Sequence, residues 1–415
     1  VGKELYADSY TPVEMMRILQ RASHHSYLLE SASQNEVWGR YSFLGYDPSM
    51  EITCTDGTLR VRKTSDIRGG DQEEEIRQVT HPGDVIREII DKYKSPVMDN
   101  MPAFTGGLVG YFSYDYIKYS EPKLKLTSEG QQDFRDMDLM LFNEVIAFDH
   151  YRQKIMLITG VMTEDIEGSY KKAEETLEDM AKLIREGEKE TFPTLQLKTE
   201  IEPVFPKEQY CDMVEKAKQY IREGDIFQVV LSDPMKAEAE GSLFDTYRVL
   251  RAANPSPYMF YFSSDDIELS GASPETLAKL DNGRLSTFPL AGTRPRGKTP
   301  DEDKALEEDL LQDEKELAEH NMLVDLGRND IGKISRIGTV KVEKYMEIER
   351  FSHVMHIGST VTGTIREDKD AVDAVDAILP AGTLSGAPKF RACQIIDQLE
   401  NNKRGVYGGA IGYLD

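Results

Sequence analysis

One stretch of the sequence combines an acidic side chain, a tight turn and a corner of small residues. Asn282-Gly283 is a strong signal for a two-residue hairpin between two strand-like runs. Pairing outward from that turn places Glu275 opposite Leu290, beside Ala291-Gly292-Thr293. A strand end with small side chains lets a ligand reach main-chain N–H groups. The pattern suits a backbone cradle set against an acid, and it suits equally well an ordinary hairpin followed by a Pro-Gly turn.

Two carboxylates lie close together on a predicted acidic helix over residues 301–330. Glu316 and Glu319 are three positions apart and repel each other unless a cation or a proton holds them. Mg²⁺ prefers carboxylate oxygens, so the pair is a candidate magnesium site; a solvated acidic face is the alternative. Gly327 is predicted to end the helix, and His320 to pack or hydrogen-bond. The apolar stripe of this helix is Leu306, Leu310, Leu317 and Val324.

Two histidines lie in a strand-like run and are candidates for proton transfer. His353 and His356 are three positions apart, so on a strand they face opposite sides, and one of them can line a cleft. Histidine titrates near neutrality and is the usual proton shuttle. A buried structural histidine is the alternative.

Along the whole chain, the sequence pattern predicts a mixture of strands and helices that do not alternate regularly as βαβ units. We therefore predict an α+β fold with large antiparallel sheets. Thr11 and Pro12 predict a helix start, and Gly224 predicts the end of another helix. Residues 65–80 are predicted to be a polar loop, and residues 165–187 an acidic helix.

The polar stretch over residues 187–202 predicts a boundary between two domains. The first is an N-terminal lobe over residues 1–190, and the second is a catalytic lobe over residues 200–415. A chain of 415 residues is long enough for two such units.

Composition restricts the classes of partner. The 50 basic and 74 acidic residues give a formal net charge of −24, which makes nucleic acid a poor partner. There is no run of about 18 apolar residues and no cationic leader, so we expect a cytoplasmic protein without a membrane partner. Three widely spaced cysteines, Cys54, Cys211 and Cys393, are predicted to be ordinary reduced thiols.

Taken together, the motifs resemble those of the chorismate-utilising enzymes, and most closely the component I family of anthranilate synthases. The resemblance covers nearly the whole chain and implies a two-lobed α+β fold with helices flanking large antiparallel sheets. The implied reaction adds ammonia to the chorismate ring, expels the ring hydroxyl and eliminates pyruvate. The motifs that carry it are YLLES, GRYSFLG, GGLVGY, DIFQVVLS, NPSPYMF, GASPE, PLAGTRPRG, ELAEHNMLVDLGRND, VMH, GTLSGAPK and YGGAIGY.

The resemblance assigns roles to individual positions of the catalytic lobe. Glu319 matches the Mg²⁺ ligand, with Glu316 close to it. Glu275 matches the carboxylate that assists departure of the hydroxyl, and His356 matches the histidine of the elimination half. The substrate-binding positions that it implies are Gly292, Thr293, Thr383, Tyr407 and Gln228.

The same resemblance implies a tryptophan feedback pocket, whose residues are Glu30, Ser31, Pro257, Tyr258 and Met259. Ordinary turn and core packing is the alternative for these positions.

Two positions discriminate among relatives. Enzymes that add water have a lysine base where this chain has Gln228, and a neutral amide cannot deprotonate water. Many aminodeoxychorismate synthases have a nucleophilic lysine where this chain has Ala291. Anthranilate formation is therefore favoured, with aminodeoxychorismate synthase as the alternative. An inactive tryptophan-binding regulatory subunit is a third reading.

The resemblance also sets expectations about missing parts. The family continues past the final "GYLD" with an arginine, a Gly-Ala-Gly loop and a second Mg²⁺ glutamate, so we expect the catalytic lobe to be C-terminally incomplete here. A chain ending at Asp415 is expected to bind chorismate and Mg²⁺ poorly. No glutaminase nucleophile is recognisable, so ammonia from glutamine is expected to come from a separate amidotransferase subunit.

Overall fold

The fold consists of antiparallel sheets with helices on their faces, in a computed structural model that describes residues 1–31, 39–63, 73–128 and 134–415. The helices are α1 (Pro12–Ala22), α2 (Gly83–Tyr93), α3 (Ile117–Ser120), α4 (Ile166–Glu186), α5 (Lys207–Glu223), α6 (Phe244–Ala253), α7 (Pro300–Gln312), α8 (Glu314–Gly332), α9 (Ala371–Ile378) and α10 (Lys389–Glu400). The predicted α+β class with large antiparallel sheets is confirmed.

The strands of the first half are β1 (Gly2–Tyr6), β2 (Ser26–Glu30), β3 (Tyr41–Tyr46), β4 (Met50–Thr55), β5 (Thr58–Lys63), β6 (Glu73–Gln78), β7 (Gly107–Phe112), β8 (Met137–Phe142), β9 (Glu144–Asp149), β10 (Lys154–Thr159), β11 (Gln196–Leu197) and β12 (Glu202–Pro203). Those of the second half are β13 (Gln228–Val229), β14 (Met235–Lys236), β15 (Ala239–Glu240), β16 (Tyr258–Ser263), β17 (Glu268–Ser273), β18 (Thr276–Asp281), β19 (Arg284–Phe288), β20 (Leu290–Pro295), β21 (Lys341–Arg350), β22 (Val354–Thr364), β23 (Gly386–Ala387) and β24 (Ala410–Leu414).

Three sheets form the framework of the described ranges. The first has the order β1-β10-β9-β3-β2-β16-β17, and the second β24-β7-β8-β4-β5-β6. The third has the order β18-β19-β22-β20, with β21 also paired to β22. The first two sheets combine strands from both sides of the predicted boundary at residues 187–202, because β16, β17 and β24 complete sheets that the N-terminal strands begin.

Apolar side chains fill the space between the first two sheets and their helices. Tyr27, Phe142 and Phe262 are fully or almost fully buried in one cluster to which both sheets contribute. A further cluster lies under the third sheet, where Leu285 and Val361 pack against Val324 of α8. This last contact holds α8 against the strands that carry the predicted site residues.

Local sequence signals explain several element ends. The Thr11 side chain accepts a hydrogen bond from the backbone N–H of Glu14, and Pro12 opens α1, as predicted. Gly224 ends α5 in the left-handed conformation, with φ of 83°, which also confirms the prediction. The acidic helix predicted at residues 165–187 is α4.

Two predictions of local structure were wrong. Residues 73–78 of the predicted polar loop form an edge strand, β6, while residues 65–72 lie outside the described residues. Residues 301–330 form two helices, because the chain leaves helical geometry at Asp313, and α8 continues past Gly327 to Gly332. Asp313 starts α8 by accepting hydrogen bonds from the backbone N–H groups of Lys315 and Glu316.

Two further features bear on the compositional expectations. The three cysteines are free; Cys54 and Cys393 are buried, and Cys211 is exposed. In the described ranges, every helix is too short or too polar to cross a lipid bilayer.

Candidate active site

The hairpin at Asn282-Gly283 forms as predicted, but its outer register differs. Both turn residues have positive φ, 49° and 76°, and Leu280 pairs with Leu285. A bulge between Thr276 and Lys279 then shifts the pairing by one residue, so that Thr276 faces Phe288. The predicted pairing of Glu275 with Leu290 was therefore wrong, because an unpaired residue in the strand is invisible to counting.

The corner of small residues that follows is a second bulge. Ala291 pairs with Ile357 and Thr293 with His356, which leaves Gly292 as the extra residue of β20. Gly292 has φ of 75°, and a Cβ there would lie 3.1 Å from the Ile357 side chain. Glycine therefore permits both the left-handed backbone and the close packing at this point.

The bulge brings Gly292 and Thr293 into contact with His356. The His356 Nδ1 atom lies 3.1 Å from the Gly292 carbonyl oxygen and 3.1 Å from the Thr293 hydroxyl. A carbonyl oxygen only accepts hydrogen bonds, so the contact with Gly292 requires a proton on Nδ1. In neutral His356 the lone pair is then on Nε2, which makes that atom a base.

Glu275 is held by Thr383 and not by the glycine corner. The Thr383 hydroxyl lies 3.2 and 3.0 Å from the two carboxylate oxygens and donates to them. Burial raises the pKa of the Glu275 carboxyl to about 7, although the Thr383 hydrogen bond opposes this shift. A carboxyl group with this pKa is protonated in a large fraction of molecules at neutral pH and can act as a general acid.

Glu275 and Thr383 line a small cavity against α8. Its volume of about 20 Å³ is room for one water molecule. Gly327 of α8 and the buried Asp330 form part of its wall. The cavity therefore cannot enclose a substrate, which would have to lie at its mouth.

The predicted metal ligands lie on the first half of α8. The Gln228 side-chain amide donates a 3.0 Å hydrogen bond to Glu319 Oε1, while the Gln228 Oε1 atom is buried without a hydrogen-bond partner. Glu316 is half-buried one turn away on the same helix. Mg²⁺ prefers oxygen ligands and keeps several bound waters. The unpaired amide oxygen of Gln228 and the Glu319 carboxylate could therefore bind the ion directly or accept a hydrogen bond from one of its waters.

Helix α8 packs against the elements that carry the other site residues. This helix packs against β20, β22 and the 3₁₀ turn Gly382–Leu384, which carries Thr383. Three residues later the chain pairs with Gln228 through Ala387. The structure thus brings together Glu275 with Thr383, His356 with Gly292 and Thr293, and Glu319 with Gln228. Tyr407 is 43% exposed, with its ring 5.5 Å from the Arg404 guanidinium.

The two arginines that follow the glycine corner have structural partners. Arg294 forms ion pairs of 2.7 Å with Asp309 and 2.9 Å with Asp313, the residue that caps α8. Arg296 makes two 2.9 Å hydrogen bonds to Asp303 of α7. They therefore fasten β20 to the acidic helices and set the position of Glu316 and Glu319.

Sequence reasoning missed a buried ion pair beneath the site. Arg404 and Glu400 have side chains only 2% exposed and lie 2.6 Å apart. Arg404 also donates to the carbonyl oxygens of Leu384, at 2.7 Å, and Val230, at 2.6 Å. This side chain therefore joins the Thr383 turn to Val230, the residue directly after the short strand β13 that carries Gln228. Arg404 lies in the polar stretch just before the final YGGAIGY motif, and nothing in that stretch gave a signal of burial.

A second buried pair was also missed. Lys389 Nζ lies 2.6 Å from Asp330 Oδ2 and 2.7 Å from the Ile378 carbonyl oxygen. Burial raises the pKa of Asp330 and lowers the pKa of Lys389, while the ion pair opposes both shifts. The pair fixes the end of α8 to the start of α10, directly behind the cavity.

The predicted feedback residues come together through strand pairing. β2 lies beside β16, so that Glu30 faces Met259, more than 220 positions later in the chain. Pro257 and Ser31 adjoin these strands. The Glu30 carboxylate accepts hydrogen bonds from Tyr247, at 2.5 Å, and from Arg251, at 2.5 and 3.0 Å. Its side chain is therefore already engaged by protein groups.

Tyr258 connects this region to the candidate active site. Its hydroxyl lies 2.6 Å from the Thr276 hydroxyl, and Thr276 is the neighbour of Glu275. A displacement of β16 would thus be transmitted to the residue beside the candidate acid.

Comparison with known proteins places this arrangement in a family. The family model described as chorismate binding enzyme matches residues 25–415. The chain belongs to the chorismate-binding enzymes. Among its relatives in that family, anthranilate synthase component 1 from Acetivibrio thermocellus is 45% identical over 423 residues, covering 100% of this chain and 84% of the relative. The protein of the same name from Aquifex aeolicus is 43% identical over 417 residues, covering 99% and 82%. The predicted family membership is confirmed.

Two solved structures show the same fold. Anthranilate synthase component I from Streptococcus pneumoniae superposes with a TM-score of 0.76 at 39% identity, covering 92% of this chain and 82% of that one. The isochorismate synthase MenF from Escherichia coli gives a TM-score of 0.70 at 17% identity, covering 100% and 82%. The second likeness concerns the fold alone.

Proposed function

We propose that this chorismate-binding enzyme is anthranilate synthase component I, which converts chorismate and ammonia to anthranilate, pyruvate and water. The observation that carries the proposal is the presence of two groups of opposite character in the same sheet region: Glu275 lies directly before β18 and His356 lies on β22, with β19 between these two strands. Burial raises the pKa of the Glu275 carboxyl to about 7, and the Nδ1–H bond of His356 to the Gly292 carbonyl oxygen leaves the lone pair of the neutral ring on Nε2. Amination followed by elimination needs one acid and one base of this kind.

Glu275 acts as the acid of the first half-reaction. Ammonia attacks the ring and forms a C–N bond, while the bond between the ring and its hydroxyl breaks. The Glu275 proton passes to the departing oxygen, which leaves as water. The Thr383 hydroxyl, 3.0 Å from the carboxylate, stabilises the charge that remains on Glu275.

His356 acts as the base of the second half-reaction. Its Nδ1–H bond to the Gly292 carbonyl oxygen fixes the ring and keeps Nε2 free. Nε2 takes the ring proton, the electron pair restores aromaticity, and the enolpyruvyl C–O bond to the ring breaks. The leaving group is the enolate of pyruvate, whose methylene carbon then takes up one proton, from the His356 imidazolium or from water, to give pyruvate. Backbone groups of the Gly292 bulge would hold a carboxylate of chorismate.

Mg²⁺ would be held by Glu319 and Glu316, with the free oxygen of Gln228 nearby, as a counter-charge and clamp for a substrate carboxylate. The fit rests on the oxygen-only donor set and on the unpaired Gln228 Oε1 atom. Gln228 itself orients Glu319 through its amide N–H.

The residue types around the ring favour amination over hydration. Gln228 is an amide that cannot activate water, and Ala291 is a buried small residue that leaves space for ammonia. Aminodeoxychorismate synthase component I is the second candidate, because the same acid and metal ligands would serve amination without elimination. The His356 base favours anthranilate over that product.

We also infer two partners for the same activity. A glutamine amidotransferase subunit would supply ammonia. Tryptophan would inhibit by binding next to β2 and β16, near Glu30, Ser31, Pro257, Tyr258 and Met259, and the Tyr258–Thr276 hydrogen bond would transmit this to Glu275.

The test uses the complete gene product with chorismate, Mg²⁺ and ammonium, followed by fluorescence and mass spectrometry of the product. Anthranilate with one equivalent of pyruvate supports the proposal. Accumulation of aminodeoxychorismate without pyruvate supports the second candidate. Binding of tryptophan with no product of either kind would show an inactive regulatory subunit and refute both enzymatic readings.

A further inference from the structure

A group of potential metal ligands lies at one end of the first sheet, on two turns that adjoin the neighbouring strands β2 and β16. His24 and His25 form the turn between α1 and β2, and Asp265 lies in the turn between β16 and β17. His24 Nε2 is 2.9 Å from Asp265 Oδ1, and His25 Nε2 is 3.2 Å from the same oxygen. Within the described residues, this is the group of three or more His, Cys, Asp or Glu whose ligand atoms all lie within 4.8 Å of one another.

The spacing of these atoms matches the edges of a metal coordination shell. Zn²⁺ binds nitrogen and oxygen ligands at about 2.0–2.1 Å, so neighbouring ligands in a tetrahedron lie about 3.3 Å apart. The two distances to Asp265 are within 0.4 Å of that edge length. Small rotations of exposed side chains would close the difference, since His24 is 58% and Asp265 38% exposed.

The Arg62 guanidinium occupies the position that a cation would take between His25 and Asp265. The His25 Nε2 atom lies 3.3 Å from Arg62 Nη2, and a guanidinium group only donates. Nε2 of His25 therefore carries a lone pair, and so does the Asp265 oxygen 3.2 Å away. Two lone pairs at this distance repel each other unless a cation lies beside them, and Arg62 supplies that charge by also pairing with Asp265.

Arg62 has an alternative partner if a metal takes its place. Its Nη2 atom lies 2.6 Å from Glu51 Oε2, and Glu51 is 6% exposed with its Oε1 atom lacking a hydrogen bond. A shift of the guanidinium toward Glu51 would satisfy that oxygen. The release of Asp265 is therefore compensated within the same cluster.

We propose that His24, His25 and Asp265 form a binding site for one divalent transition-metal ion of the Zn²⁺, Co²⁺ or Ni²⁺ class. Two imidazole nitrogens and one carboxylate suit these borderline ions and not Mg²⁺, which prefers oxygen. The exposed side of His24 and Asp265 leaves a position for water. The site is separate from the carboxylates of α8, and it would join the β16–β17 turn to the α1–β2 turn.

The test is a titration of the complete, chelator-treated protein with Co²⁺, followed by visible absorption and calorimetry in the presence of excess Mg²⁺. Binding of one equivalent, with the spectrum of a nitrogen-ligated ion, is expected. His24→Asn and Asp265→Asn should each weaken the affinity at least about 100-fold, because loss of a direct ligand exceeds the loss of an outer-shell partner.

The matched control is Asp266→Asn, which changes the neighbouring carboxylate of the same turn. Asp266 pairs with Arg135 and not with the histidines, so this variant should retain the affinity. Circular dichroism verifies that each variant is folded. The proposal is overturned if the wild-type protein shows no saturable Co²⁺ binding under excess Mg²⁺, or if His24→Asn and Asp265→Asn bind Co²⁺ as tightly as Asp266→Asn.

Discussion

The Glu275 carboxyl group is buried, and burial makes its charged form unfavourable. The folded-state pKa of about 7 lies above the ordinary value of 4.5. The folded chain therefore binds more protons than the unfolded chain between those two values, and stability falls as pH rises through that window. Replacing Glu275 with Gln removes this penalty and can retain the Thr383 hydrogen bond.

We predict that Glu275→Gln raises the free energy of unfolding by about 2–3 kcal/mol at pH 8.5, with a gain of less than about 1 kcal/mol at pH 5. Urea denaturation at the two pH values measures the difference. Glu188→Gln changes a side chain that is 84% exposed and serves as the control. An equal effect of Glu275→Gln at both pH values would show that burial does not perturb this carboxyl group.

Gly292 tests the bulge that positions His356. Gly292 and Gly283 have nearly the same φ, 75° and 76°, but a Cβ at Gly283 would meet no atom within 4 Å. Gly283→Ala should therefore cost about 1 kcal/mol from backbone strain alone. Gly292→Ala should cost about 2 kcal/mol, because its methyl group also crowds Ile357. Equal losses in thermal unfolding would refute the packing argument.

At the residue scale, the sequence predicted which side chains carry the chemistry of the site, but it did not predict which residues they contact. Hairpin counting located the turn at Asn282-Gly283, but the bulges near Thr276 and at Gly292 moved each partner by one position. An unpaired residue changes register without changing composition. For the same reason, the contact between Glu275 and Thr383, 108 positions apart, could not be foreseen from local pattern.

At the scale of elements, the buried Arg404–Glu400 pair holds the Thr383 turn beside the end of β13, the strand that carries Gln228. We predict that Arg404→Met destabilises the fold by about 3–5 kcal/mol, because Glu400 then remains buried without its counter-charge. Arg328→Met removes an exposed ion pair with Asp325 and should cost less than about 0.5 kcal/mol. Chemical denaturation measures both, and a loss below 1 kcal/mol for Arg404→Met would contradict the assigned role.

Helices with clear caps were predictable, and short strands were not. Thr11 and Gly224 marked helix ends because their side chain or backbone performs the capping locally. The largely apolar run over residues 225–232 contains only the two-residue strand β13, since its partner β23 is itself two residues long. The length of a strand depends on its pairing partner, which is distant in sequence, and the local pattern of apolar residues carries no information about that partner.

At the scale of the whole molecule, strands from both halves share sheets. β16 and β17 extend the first sheet beside β2, and Tyr261 and Phe262 of β16 are fully buried in its core. We predict that residues 1–190 expressed alone do not fold to a native-like state. Broad, poorly dispersed amide resonances are the expected result. A dispersed spectrum and a cooperative unfolding transition for that fragment would show that it is an independent unit.

The central claim is that Glu275 donates the proton that releases the ring hydroxyl. The most direct measurement is the steady-state rate of anthranilate formation by the complete gene product and its Glu275→Gln variant, with chorismate, Mg²⁺ and ammonium. We predict that kcat falls about 10²–10⁴-fold while KM for chorismate changes only a few-fold, because the variant binds substrate but lacks the proton. A kcat within a few-fold of the wild-type value would contradict the claim.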